Sequence, residues 1–150
     1  MRALLQRGTR AAVRVDGVEI AAIDGGLLVL LGVGHDDDET MADSLARRIC
    51  ELRIFEDEDG RTNRSLLDVG GACLLVSQVT LYADTRRGRR PGFTDAAPPD
   101  AAKALWLRVA DGIRGQGIDV GLGQFGAEMV VELVNDGPFT IWLDTADRPG

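Results

Sequence analysis

Two short stretches place polar chemistry inside apolar surroundings. In LLVSQVTL, residues 74–81, Ser77, Gln78 and Thr80 interrupt a core pattern. Buried hydroxyls and amides need partners. Either Ser77 and Thr80 satisfy each other across strands or a bulge, or they line a polar-ligand pocket together with neighbouring backbone N–H groups. In VELVNDGPFTIWLD, residues 131–144, Asn135-Asp136-Gly137-Pro138 separates two apolar alternations, Val131/Leu133 and Phe139/Ile141/Leu143, which read as two strands. Asp-Gly alone signals a tight hairpin, but Pro138 has no N–H for a ladder and cannot sit inside a central strand. Gly137-Pro138 is either a strand breaker or a rigid backbone surface that something touches.

Conventional catalytic equipment is missing from the rest of the chain. The single histidine, His35, sits beside an acidic helix start and reads as a surface residue. Cys50 and Cys73 have no metal-ligand spacing and read as buried free thiols. No Gly-x-Ser-x-Gly elbow or Walker loop occurs, and most carboxylates lie in solvated runs. No metal or cofactor is expected.

The elements that must position these residues follow from periodicity. Residues 2–34 read as three strands, with Asp16-Gly17 as a hairpin turn between Val15 and Val18 and LLVLLGV (27–33) buried on both faces. Met41, Leu45, Ile49 and Leu52 give a helix over 37–52, with Asp36 and Glu39 as a capping box. Residues 53–71 hold a short strand and a polar excursion around Gly60, and 72–83 read as one apolar strand. Residues 85–99 form a long loop, Pro99 starts a second helix to about 115, and 118–144 return to strands. One mixed α/β domain follows, since 150 residues suffice to bury about two thirds of the unfolded surface.

Apolar residues make up 45% of the chain and charged ones 27%, with a net charge of −7. No apolar run is long enough to span a membrane, and the arginine-rich N-terminus does not read as a secretory signal, so a cytoplasmic location is expected. The acidic balance argues against nonspecific nucleic-acid binding. The charge is uneven, however. Arg86, Arg87, Arg89 and Arg90 crowd into five residues, suited either to phosphate contacts or to a solvated loop.

Taken together, Ser77-Gln78-Val79-Thr80, GRRPGFTDAAPP (88–99) and Asn135-Asp136-Gly137-Pro138-Phe139-Thr140 strongly resemble the bacterial-type D-aminoacyl-tRNA deacylases. QRGTRAAVRVDG (6–17), LRIFEDEDG (52–60) and SLLDVGG (65–71) extend the similarity across residues 1–145. Two positions depart from the family's pattern. Val79 stands where it has Phe, and Phe139 where it has Val, which would be a compensated core swap if the two touch. A related subfamily acting on a different mischarged tRNA carries Pro-Gln-Ala-Thr at the first motif, so Ser77 favours the D-specific type.

The resemblance implies a single domain over residues 1–150, with largely antiparallel, barrel-like sheets, two main helices outside and a flexible tail. It implies hydrolysis of the ester of D-aminoacyl-tRNA, and of glycyl-tRNA, bound through the 3′-terminal aminoacyl-adenosine. It further implies a homodimer in which a cis Gly137–Pro138 unit, anchored by Arg7, enters the partner's site. There its two carbonyls would exclude L side chains. Backbone N–H groups near Val79 and Thr80 would hold the oxyanion, helped by the tRNA 2′-hydroxyl, with Thr80 as covalent nucleophile the other possibility. Phe125 and Met129 would wall the adenosine, although core packing explains them almost as well. No membrane or DNA partner is expected. The competing readings are a noncatalytic RNA-binding module and an esterase for small aminoacyl esters.

Overall fold

The computed structural model describes residues 1–147, so the expected tail lies outside the described residues. The chain runs β1 (Arg2–Val15), β2 (Val18–Ile23), β3 (Gly26–Gly32), α1 (Glu39–Glu51), β4 (Phe55–Glu56), β5 (Thr62–Arg64), α2 (Leu66–Val69), β6 (Ala72–Ser77), α3 (Pro99–Gly115), β7 (Val120–Leu122) and β8 (Val130–Asp144). The turn after β1 forms as read. Asp16 and Gly17 both take positive φ, 50° and 77°, and Val15 pairs with Val18.

β1 organises the sheet. One of its edges carries β3 and then β2, and the other carries β8 along most of its length, all antiparallel. β6 joins β3 in parallel, and β7 joins β6 in parallel. β7 then approaches β2: a Cβ on Gly121 would stand 3.5 Å from that of Ala21. The sheet is thus a mixed, nearly closed barrel, with β4 and β5 forming a separate small hairpin.

Alternation along β3 and β6 serves two cores. Leu27, Val29, Leu31, Cys73 and Leu75 face a cluster that includes Leu45 and Ile49 of α1 and Val109 and Ile113 of α3. Leu28, Leu74 and Val76 face Ala11 and Val13 instead. Each fully buried leucine or valine stabilises the fold by about 1.5–3 kcal/mol over an exposed one. The two main helices pack closely, since a Cβ on Gly112 would lie 2.8 Å from that of Ala46. No helix among the described residues is long and apolar enough to cross a membrane.

Four local expectations change. The cap of α1 is Asp38, whose carboxylate accepts from Met41 N at 2.9 Å, rather than Asp36. Only Asp38 immediately precedes the first helical residue with extended backbone. α2 is an additional short helix, closed by a Ser65/Asp68 capping box. The strand read over 72–83 stops at Ser77, where its β3 partner ends, and 79–82 form a 3₁₀ turn. Finally, β8 is one strand and not two, because its pairing with β1 resumes beyond the Gly-Pro.

Candidate active site

The turn after β6 has a structural cause. Gln78 N makes the last bond toward β3, to Leu31 O at 2.7 Å, and the ladder runs out. Gly32 and Gly34 on the β3 side leave room for Tyr82 to lie across them: a Cβ on Gly34 would meet the Tyr82 ring at 2.8 Å. The Arg2 guanidinium covers that ring 4.3 Å from its centroid. Burial, with Asp37 and Asp144 nearby, pushes the Tyr82 phenol well above its ordinary pKa.

Beside this turn opens a cleft of about 450 Å³. Ser77, Gln78 and Val79 line it, together with the apolar Phe125, Met129 and Trp106. Within the 3₁₀ turn Leu81 N bonds Gln78 O, while the N–H groups of Val79 and Thr80 have no acceptor among the described residues. They are the orphan donors expected where a helical turn begins. Two such donors, one on the wall of an apolar cleft and one in the adjoining turn, are suited to stabilising charge that develops on a substrate oxygen. Trp106 Nε1 is buried and likewise has no acceptor among the described residues.

Ser77 and Thr80 do not bond each other. Thr80 Oγ1 accepts from the amide of Gln78, and no histidine or carboxylate bonds to it. The core-swap reading also changes. Val79 is 55% exposed, whereas Phe139 packs against the helix-side core with the Arg7 guanidinium 4.6 Å from its ring centroid. Within one chain they do not share a buried volume.

The second polar stretch forms a bulge in β8. Gly8 pairs with Asn135 and Gln6 with Thr140, so residues 136–139 of β8 stand opposite Arg7 alone. Arg7 is only 6% exposed and holds the excursion. It donates from Nε to Asp136 O at 3.2 Å and from Nη1 to Ile54 O at 2.8 Å. Asn135 closes the bulge from inside, with Oδ1 accepting from Phe139 N at 3.0 Å and Nδ2 donating to Gln6 Oε1 at 2.7 Å. The Gly137–Pro138 peptide is cis, and Gly137 has φ +130°.

The structure therefore gathers Ser77, Gln78, Val79, Phe125 and Met129 around one cleft, with Thr80 in the adjoining turn. It places Gly137 and Pro138 in a separate, exposed bulge held by the buried Arg7, and none of the three lines the cleft. Sequence reasoning missed Gln6 and Asn135. The available signals were a glutamine in an apolar strand and an asparagine, able to close a loop on its own backbone, just before the Gly-Pro.

A family model described as D-Tyr-tRNA(Tyr) deacylase matches residues 4–144. The chain belongs to that family. A D-aminoacyl-tRNA deacylase of Thermomicrobium roseum is 56% identical over 150 residues, covering 100% of this chain and 97% of its own. The solved structure of a c-Myc DNA unwinding element binding protein shares 37% identity and a TM-score of 0.91 over 100% of both chains. That of a probable eukaryotic D-amino acid tRNA deacylase, 19% identical, has a TM-score of 0.82 over 95% of this chain and 97% of its own, which shows the common fold.

Proposed function

We propose that this protein is an aminoacyl-tRNA editing hydrolase that cleaves the ester of D-aminoacyl-tRNA and of glycyl-tRNA. One observation carries the reading: among the described residues the N–H groups of Val79, which lines an apolar cleft, and of Thr80, in the turn beside it, are unpaired, and no nucleophile–base pair accompanies them. An aminoacyl ester is already activated. Water attack then needs positioning and one stabilised oxyanion, worth roughly 3–4 kcal/mol per well-placed donor. Phe125 and Met129 wall the terminal adenosine, and the tRNA 2′-hydroxyl assists. Thr80, bonded only to an amide, is a poor candidate for covalent catalysis.

Chirality is assigned to Gly137-Pro138 of a second copy of the chain. The bulge lies outside its own cleft, so a partner must bring the two together. β8 suits that role, because among the described residues it pairs with β1 alone and exposes Val130, Val134 and Trp142 along a 15-residue strand. A long open edge of this kind is a template for association. Two backbone carbonyls aimed at the α-carbon would reject any L side chain, and glycine, having none, would be admitted. The homodimer works in the cytoplasm and requires no cofactor.

The test is hydrolysis of D-, L- and glycyl-tRNA beside a free D-amino-acid ester. D- and glycyl-tRNA should be cleaved while L-aminoacyl-tRNA survives. Equal rates on D and L substrates would defeat the backbone gauge. Activity on the free ester alone would favour a small-molecule esterase, and no hydrolysis with retained RNA binding a noncatalytic module.

A further inference from the structure

We infer that the arginine loop after the 3₁₀ turn is a docking rim for the RNA phosphodiester backbone leading into the cleft, an inference that rests on the tRNA reading above. Arg86, Arg87, Arg89 and Arg90 are all exposed. They stand on a defined loop, because Asp84 and Gly92 exchange both backbone hydrogen bonds, at 2.7 and 2.9 Å. The loop tip turns at Gly88, whose φ is +66°. Asp84 also ties down Arg86, accepting from its Nε and Nη2 at 2.8 Å each. That pairing holds the Asp84 carboxyl well below the usual carboxylate range.

The other three arginines differ. Among the described residues Arg87, Arg89 and Arg90 have no ion pair or side-chain hydrogen bond, as is true of Arg47, Arg48, Arg61 and Arg64, whereas Arg2, Arg7, Arg14 and Arg108 each pair with a carboxylate; on this loop three such free guanidiniums fall within four residues. The chain on either side of the loop leads back to the cleft. Val79, which lines it, lies five residues before Asp84. Ala97, which also lines it, bonds Val33 O at 2.9 Å on the return. From the Asp84–Gly92 closure the tip extends at most about 13 Å.

Charge explains why such a rim is useful. A protein of net charge −7 repels a polyanionic substrate, and only a local cationic surface beside the site can steer it in. Guanidinium forks match phosphate oxygens, and Phe93, 42% exposed at the loop base, offers a face to an unpaired base. Apart from Phe93 no large exposed apolar residue accompanies the arginines, which favours RNA over a lipid surface.

The experiment compares wild type with the triple variant Arg87→Gln, Arg89→Gln, Arg90→Gln on D-aminoacyl-tRNA and on D-aminoacyl-adenosine, which lacks phosphates. For tRNA, KM should rise about tenfold with kcat unchanged, and its dependence on salt should weaken by about two to three powers of salt concentration. The adenosine substrate should be cleaved equally by both proteins. An unchanged KM for tRNA, or an equal loss on both substrates, overturns the rim. If wild type cleaves neither substrate, the deacylase reading fails and the loop is judged on binding of uncharged tRNA. Weaker binding by the variant then supports the rim, and equal binding overturns it. A DNA duplex of the same length that binds more tightly than tRNA, with the same dependence on the loop, overturns the RNA assignment.

Discussion

At the cleft β6 stops and a turn takes over; at the bulge β8 continues and carries four residues past a single partner residue. Both regions present main chain. The cleft leaves N–H donors unpaired inside a concave, apolar surface, whereas the bulge raises a Gly-Pro unit outward on a buried arginine. Their glycines differ accordingly. Gly32 and Gly34 matter for the space they leave, and Gly137 for its dihedral angle as well. Under the proposed function, selectivity and oxyanion stabilisation would both rest on backbone that a few buried side chains fix.

The sharpest way to break the comparison is Gly137→Ala. Its φ of +130° disfavours any L side chain, and the added Cβ would stand 3.1 Å from Arg7 Nη2 and from Phe139 N. We expect loss of about 100-fold or more in deacylation of D-aminoacyl-tRNA. Binding of adenosine to the cleft, measured by calorimetry, should be retained. Lost binding would mean that the two regions are not separable within one chain.

A smaller effect sharpens the cleft side. Gly32→Ala would bring a Cβ to 3.0 Å from Gln78 O and 3.1 Å from Leu81 Cβ and the Tyr82 ring, displacing the turn. Single-turnover rates should fall about tenfold as the donors move. Thr80→Ala removes only the acceptor of one neutral hydrogen bond and should cost no more than about fivefold. A larger loss in Thr80→Ala than in Gly32→Ala, or a covalent aminoacyl adduct on Thr80, would shift the chemistry from backbone to hydroxyl.

The smallest effect concerns buried ionisable groups of the core and the turn. Burial pushes the Cys50 thiol up to about 11 and raises Cys73 and Tyr82 as well. Folding therefore favours their protonated forms. Their stabilising contribution is complete below the unfolded pKa, about 8.5 for the thiols and about 10 for the phenol, and is lost as pH rises toward the folded values. The urea midpoint should fall between pH 9 and about 11, and less steeply in Cys50→Ala. A midpoint constant across that window in wild type would contradict the burial.

Much of this molecule was fixed by local rules that the sequence states directly. Asp16-Gly17 supplied positive φ, Pro99 began a helix, the apolar run at 27–33 read as a strand buried on both faces, and the run at 72–83 read as a strand that in fact ends at Ser77. Polar residues inside an apolar run and a Gly-Pro between two apolar alternations also mark Ser77 to Thr80, Gly137 and Pro138 as unusual from the sequence. Tertiary structure decided what no local rule contains. The β6 strand ends at Ser77 because β3 gives out beside it, a fact of pairing rather than propensity. The Gly-Pro is a bulge and not a turn because β1 is long enough to pair β8 on both sides of it. Arg7 can serve that bulge only because strand register sets residues 7 and 136–139 opposite one another, almost the whole chain apart. Propensity acts over a few neighbouring residues, whereas register is set by the hydrophobic pattern of both strands at once.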